Sequence, residues 1–380
     1  MNTRYTNHTA VSIPGRPDRI PLLRLIVLGL GLMFIVNAAN AAETTRQYQL
    51  QPQEKGFRLV LKTVTLPEPG PGQVLVKVHA ASLNRRDVYM LQGSYPAGDL
   101  NGRVPLSDGA GEVMATGPGV SRFKKGDRVV GIFFTQWIDG KFSPQALASA
   151  RGGQVDGMLS EKILADENSL VAIPDNLTYE EAATLPCAGV TAWNGLFKTG
   201  NLKAGDYVLL EGTGGVSILG LQLAVAAGAK PIITSSSDAK LKRAMELGAV
   251  ATVNYRTHGD WEKQVMAATS GRGVDQVLEV GGKDTLPKAF SSLAFGGHIA
   301  LIGLLSGFPT QVPAGMVLQR SAGIDGIYVG SRADFEALNA FISSHNVKPL
   351  VDKVFSFDDA EKAFKFMDGG KLFGKVVIRM

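Results

Sequence analysis

The run Leu209-Leu210-Glu211-Gly212-Thr213-Gly214-Gly215-Val216-Ser217 constrains this chain more than any other. An apolar strand ends in a glycine turn that opens directly into an apolar helix, the context in which such glycines carry meaning. Gly212 suits a tight turn, and Gly214 lets the backbone approach a pyrophosphate. Beyond Thr213, Gly215 and Val216 open a helix whose free N–H groups and dipole favour a phosphate. Ser217 stands where a third glycine is usual, and a small residue is enough there for close packing of helix on strand. The turn predicts a bound dinucleotide.

In NAD-binding turns an acidic residue about twenty residues further on bonds the ribose 2′-hydroxyl. Here the second strand ends Ile232-Ile233-Thr234-Ser235-Ser236-Ser237, and Lys240 follows. Ser235, Ser236 and Lys240 are therefore expected to face a 2′-phosphate, with NADPH preferred over NADH. Asp238 is the opposing signal, and it is read as the N-cap of the next helix.

Around the turn, strand and helix alternate: Val216–Gly228 and Ala239–Leu247 as helices, Pro231–Thr234, Gln276–Val280 and His298–Leu301 as strands, and Leu286–Leu293 as a further helix. That alternation predicts a doubly wound parallel sheet. The earlier half differs, with short runs such as Phe57–Leu61 and Val74–Ala80 separated by proline and glycine turns. It predicts an antiparallel, partly closed β domain. The fold class is α/β, with a β-rich part at 42–177, the cofactor part at 178–329, and a tail at 330–380 returning to the first.

Residues 1–41 read as an address. Arginines precede the apolar run Leu25–Val36, and Ala39 and Ala41 fit a cleavage site before Ala42. Twelve helical residues reach roughly 18 Å, short of the roughly 30 Å hydrocarbon layer. The expectation is export to the bacterial periplasm after cleavage before Ala42; an uncleaved signal would tether the chain to a membrane, and a mis-assigned start codon would leave it cytoplasmic. Sequencing the mature amino terminus tests this, with Ala42 expected first. Arg4, Arg16, Arg19 and Arg24 against Asp18 carry +3 of the net +5, so the remainder is nearly neutral and unsuited to nucleic acid. The one cysteine, Cys187, allows neither an internal disulfide nor a multi-cysteine zinc site.

Several stretches resemble the medium-chain dehydrogenase/reductase superfamily, in particular its quinone oxidoreductase and zinc-free alcohol-dehydrogenase-like branches. They are Ala81-Ser82-Leu83-Asn84-Arg85-Arg86-Asp87, Asp108–Val113, Lys125–Val129, Ala188–Trp193, the glycine turn, and Phe373–Ile378. The resemblance covers about residue 46 to 380. It implies a GroES-like catalytic domain, a Rossmann cofactor domain and a cleft between them. It also implies that Thr191, Tyr255, Gly374 and Lys375 lie against the cofactor. Gly303 suits close approach to the nicotinamide ribose. For Lys375 a solvated strand-end charge is the other reading.

Where zinc-dependent members carry a Cys ligand and a His-Glu pair, this chain has Asn84 and Ser107-Asp108, and only Cys187 stands at the third position. The reading expects no zinc, since one thiolate without His or a second thiolate is too few ligands. Cys187 is expected to pack near the nicotinamide rather than attack. The segment Asn84 to Pro96 aligns Asn84, Asp87, Tyr89, Gly93 and Tyr95 with the active-site stretch of the zinc-free branch. Asn84 and Tyr89 are the catalytic candidates, as hydrogen-bond donors to the acceptor oxygen, with Tyr89 also a proton source. A packing role for Tyr89 stays open, and Asp87 is expected to anchor local backbone.

The expected function is hydride transfer from NADPH to a quinone or conjugated carbonyl. Two alternatives remain: a metal-free NAD(P)-linked alcohol dehydrogenase, and a nucleotide-binding sensor or structural protein with little turnover. The expected partners are a small-molecule substrate and a second copy of the chain in a homodimer.

Overall fold

The computed structural model describes residues 43–307 and 311–380, so the expected leader and its cleavage point before Ala42 lie outside the described residues. β1 (Glu43–Pro52) and β2 (Phe57–Leu66) form a hairpin. A larger sheet combines β3 (Gln73–Ser82), β4 (Asp108–Thr116), β5 (Arg128–Gly131), β6 (Lys162–Asp166) and β7 (Leu170–Ala172). The tail adds β14 (Val351–Ser356) and β15 (Lys375–Arg379), giving the order β14-β15-β3-β4-β5-β7, with β6 also paired to β3. The pairs among β3 to β7 are antiparallel, as glycine-punctuated short strands predict.

The second sheet is parallel throughout. It contains β8 (Tyr207–Leu210), β9 (Lys230–Ser235), β10 (Ala251–Asn254), β11 (Val274–Glu279), β12 (Leu293–Leu301) and β13 (Gly323–Gly326). Their order, β10-β9-β8-β11-β12-β13, is the doubly wound order that reverses between β8 and β11. Ligands bind such sheets beyond the carboxyl ends of the strands at that reversal, which is where the glycine turn stands.

The helix Gly215–Ala226 after β8 is apolar on nearly all sides, and Ile218, Leu219, Leu221 and Leu223 are buried. Such a helix needs protein around it. Here one buried cluster joins Leu210 and Ile218 of the parallel part to Ala110 and Val130 of the β-rich part, and to Phe335, Leu338 and Ile342 of the helix Arg332–His345. The shared core holds the two sheets in one fixed arrangement around the glycine turn. Among the described residues no helix is long and apolar enough to cross a membrane.

Two local expectations need correction. The strand read as His298–Leu301 begins at Leu293, because its first residues pair with β11 at Val274 before a register shift. The N-cap of the helix Asp238–Glu246 is Ser237, whose hydroxyl accepts from Lys240 N, rather than Asp238. Asp238 is the first helical residue and its carboxylate accepts from Asn254 Nδ2 at 2.7 Å, which frees the preceding serine to cap.

Candidate active site

The helix Arg85–Leu91 begins where β3 ends. Its N-cap, Asn84, is extended, and the Asn84 N–H donates to Asp87 Oδ2 at 2.7 Å. The short loop thus fixes the backbone of Asn84 and leaves its amide to reach inward. Burial pushes the Asp87 carboxyl up to about 6, against the pull of Arg86 and of that N–H. Asp87 therefore acts as the expected backbone anchor.

Asn84 meets the tail of the chain. Lys375, 2% exposed at the start of β15, donates from Nζ to Leu83 O at 2.8 Å, Asn84 Oδ1 at 2.7 Å and Asp108 Oδ2 at 3.2 Å. Asp108 is buried as well, and its other oxygen accepts from Ser107 Oγ at 2.6 Å. A buried ammonium with a carboxylate and two carbonyl acceptors has its charge paired and its donors used, the condition under which a lysine stays inside. The reading of Lys375 as a solvated strand-end charge is wrong, because the β14-β15-β3 pairing turns that end of the strand inward.

The lysine stem also touches the cofactor turn. A methyl group placed on Gly215 would lie 2.7 Å from Lys375 Cδ and 3.3 Å from Ala188 Cβ. The Gly374 N–H donates to Thr213 O at 3.0 Å, so the tail is tied to the turn itself. Gly212 has φ +72°, and neither it nor Gly214 would meet any atom within 4 Å on gaining a Cβ. The space over both is open, as a pyrophosphate seated at this helix N-terminus requires. Ser217 Oγ donates to Glu211 O at 2.6 Å, and Thr234 Oγ1 accepts from Gly212 N, pinning the turn to both neighbouring strands.

Cys187 lies in a wide helical turn, Leu185–Gly189, that leads into the short helix Val190–Trp193 carrying buried Thr191. The cysteine is partly exposed. The protein around its sulfur, reinforced by the Asp108 carboxylate, pushes the thiol up to about 12. It stays a neutral thiol, in keeping with packing rather than attack.

Two buried carboxyls floor the reversal between β8 and β11. Glu279 Oε1 accepts from the N–H groups of Gly281 and Gly282 and from Thr285 Oγ1, at 2.7–2.8 Å. Glu211 Oε2 takes the Val280 and Gly281 N–H groups at 3.3 and 3.4 Å. Burial and the facing Glu279 carboxylate hold Glu211 protonated well above the usual carboxylate range.

The zinc-binding dehydrogenase family matches residues 215–344, and the alcohol dehydrogenase GroES-like domain family matches residues 70–175. A zinc-type alcohol dehydrogenase-like protein of Schizosaccharomyces pombe is 45% identical over 342 residues, 88% of this chain and 99% of that protein. The chain belongs to the medium-chain dehydrogenase/reductase superfamily. A superfamily structure from Sinorhizobium meliloti, assigned as an alcohol dehydrogenase, superposes with a TM-score of 0.84 at 38% identity, over 90% of this chain and 100% of that one. A quinone oxidoreductase from Pseudomonas syringae superposes with a TM-score of 0.72 at 30% identity, over 88% and 100%. The chain is an oxidoreductase of this superfamily with its NAD(P)-dependent fold.

Asn84 meets Lys375, whose stem lies against Gly215 in the turn Gly212-Thr213-Gly214-Gly215-Val216, while Thr191 sits on the helix Val190–Trp193 packed against the helix that follows the turn. Ser235, Ser236 and Tyr255 gather at the end of β9, where the Tyr255 N–H donates to Ser235 O at 3.1 Å. Lys240 reaches across to the tail, its ammonium on Gly370 O at 3.0 Å. Gly303 is crowded by protein: a Cβ there would lie 2.5 Å from Val280 O, so backbone packing between the ends of β11 and β12 already requires a glycine. Tyr89 is half-buried, and its hydroxyl makes no hydrogen bond among the described residues. Tyr95 is more deeply set, bonded to Tyr328 Oη at 3.2 Å, with its own hydroxyl pushed up by burial. Tyr328, Arg86, Asp108 and the Glu211–Glu279 pair escaped the sequence reading. Asp108 had a signal, since it stands at the position of the missing His-Glu pair.

Proposed function

We propose that this oxidoreductase is a metal-independent NADPH-linked reductase of quinones or conjugated carbonyl compounds. The observation that carries the reading is the buried Lys375 ammonium lodged between Asn84 and Asp108. Zinc does not suit these residues. The donor set is an amide already bonded to the ammonium, a carboxylate paired with it, and a thiol that stays protonated. A fixed cation at that place also repels a second one. Among the described residues no group of three or more His, Cys, Asp or Glu side chains could hold a metal ion.

The residues of the cofactor turn fit a dinucleotide, because Gly212 and Gly214 are open above and the helix N-terminus faces that opening. When bound, the reduced nicotinamide supplies a hydride. Lys375 holds Asn84 by its carbonyl oxygen, so the Asn84 amide nitrogen, with only a 3.4 Å contact to Ser107 Oγ, serves as donor to the acceptor oxygen. A conjugated acceptor suits this arrangement, since its π system spreads the charge that a metal would otherwise stabilise. A proton must follow the hydride to complete the reduction. Tyr89 is our candidate donor, with its unbonded hydroxyl on the same helix as Asp87. The serines closing β9 and the Lys240 charge nearby support NADPH over NADH.

The test is NADPH and NADH oxidation against 1,4-benzoquinone, an enone and a simple aldehyde, with and without a chelator, alongside metal analysis. Reduction of the quinone or enone, faster with NADPH and indifferent to chelation, is expected. Lys375→Met should cut kcat/KM by about a hundredfold, the scale of losing a preorganised donor. Alcohol oxidation that depends on added zinc would sink the reading, as would cofactor binding without turnover of any acceptor.

A further inference from the structure

Arg86 is 8% exposed, yet among the described residues no carboxylate accepts a hydrogen bond from it. Its Nη2 donates to Arg151 O at 2.7 Å and makes a 3.8 Å contact with Met90 Sδ. Its Nε is buried without a partner, and the nearest acid, Asp87, stands 3.9 Å away with Oδ1 also unbonded. Asp87 has spent its other oxygen on the Asn84 N–H. Nη1 makes no hydrogen bond among the described residues. A buried guanidinium so poorly compensated is costly, and it favours an anion that reaches it.

What surrounds the charge says which anion. Arg86 Cζ lies 4.4 Å from the Phe133 ring centroid and 5.7 Å from that of Tyr95. Behind it, buried Phe133 packs on buried Phe134 (4.6 Å), and Phe134 backs the exposed ring of Tyr328 (5.2 Å), whose hydroxyl meets that of Tyr95. Half-open Phe142 packs on Tyr328 at 5.4 Å. This aromatic face adjoins the Lys375 cluster: the charges of Asp108, Lys375 and Arg86 all act on the Cys187 thiol, and Cys187 in turn acts on the Tyr95 hydroxyl. Arg86 is also two residues from Asn84 on one short helix. Phe133 and Phe134 are core, 2% and 1% exposed, so the open aromatic face is that of Tyr95, Tyr328 and Phe142. A flat π system can lie on that face, and the guanidinium beside Tyr95 pairs with a carboxylate bidentately.

We infer that Arg86 is a specificity-determining residue and that the acceptor is a flat conjugated carbonyl compound bearing a carboxylate. This rests on the reductase reading above and adds the substrate class to it. The test compares 4-oxopent-2-enoate with its methyl ester as acceptors for the full protein with NADPH. The wild type should prefer the acid by at least tenfold in kcat/KM. Arg86→Gln should lose at least tenfold more on the acid than on the ester, through KM, and Arg86→Lys should recover part of that loss. Equal use of acid and ester by the wild type, or equal losses on both in Arg86→Gln, overturns the inference. If Arg86→Gln fails to fold, the wild-type ratio and Arg86→Lys decide. If neither acceptor is turned over, the reductase reading fails separately, and calorimetric titration with benzoate still decides this one. Binding by the wild type and not by Arg86→Gln upholds it, while equal binding, or none to either, overturns it.

Discussion

Asp87 carries a carboxyl that is buried and close to its neighbours' charges, and its titration is readable from outside. Its value rises from 3.8 to about 6 on folding. Between those values the folded protein holds a proton that the unfolded chain has lost, so stability falls as pH rises through about 4 to 6. Two units correspond to about 3 kcal/mol at ~1.36 kcal/mol per unit. Asn at this position keeps an acceptor for the Asn84 N–H and removes the titration. We predict that Asp87→Asn flattens the fall in denaturant midpoint across that window relative to wild type. Parallel curves for the two proteins would show that Asp87 does not titrate there.

At the scale of elements, the glycine turn can be separated from the fold that carries it. Gly214 has φ −80° and open space where a Cβ would go, so a side chain there strains nothing. It would fill the space over the helix N-terminus. Gly214→Val is expected to leave the melting temperature within about 2 °C. It should raise the KM for NADPH at least about tenfold, the loss of one charge-assisted hydrogen bond. A large drop in melting temperature, or an unchanged KM, would contradict this. The same elements show what was legible beforehand. β8, the helix Gly215–Ala226 and β9 could be read because strand, turn and helix signals follow one another within about thirty residues. β13, Gly-Ile-Asp-Gly, carries no strand signal of its own and exists through its pairing with β12. At the site, Asn84 and Lys375 each stood out singly. Their contact spans 291 residues and depends on β15 pairing with β3, which no local pattern announces. Arg86 was hidden because a second arginine in a polar stretch looks like a surface charge. Only its packing against Phe133 and Tyr95 reveals otherwise.

Over the whole molecule, the parallel sheet ends in β13, an edge strand with unpaired backbone groups. Nearby stand Leu318, 83% exposed, on the helix Ala314–Arg320, and Phe295, 78% exposed, at the start of β12. Large exposed apolar side chains beside an open sheet edge mark an interaction surface. We predict a homodimer joined along this edge, with a dimer mass by light scattering. Leu318→Glu should shift the protein toward the monomer mass while leaving its helical content intact. A wild-type monomer at micromolar concentration would count against the prediction.

The position of Lys375, five residues before the last, has a consequence for how the protein is made. β15 lies between β14 and β3, so that side of the sheet stays split until Lys375–Arg379 has been made. Until that strand leaves the ribosome, the Asp108 carboxylate lacks its counter-charge, Asn84 lacks the donor to its carbonyl oxygen, and β3 keeps an open edge. The site is therefore assembled late, in one closing event that joins a sheet, a charge cluster and the cofactor turn. A chain cut short by a handful of residues would lose all three together.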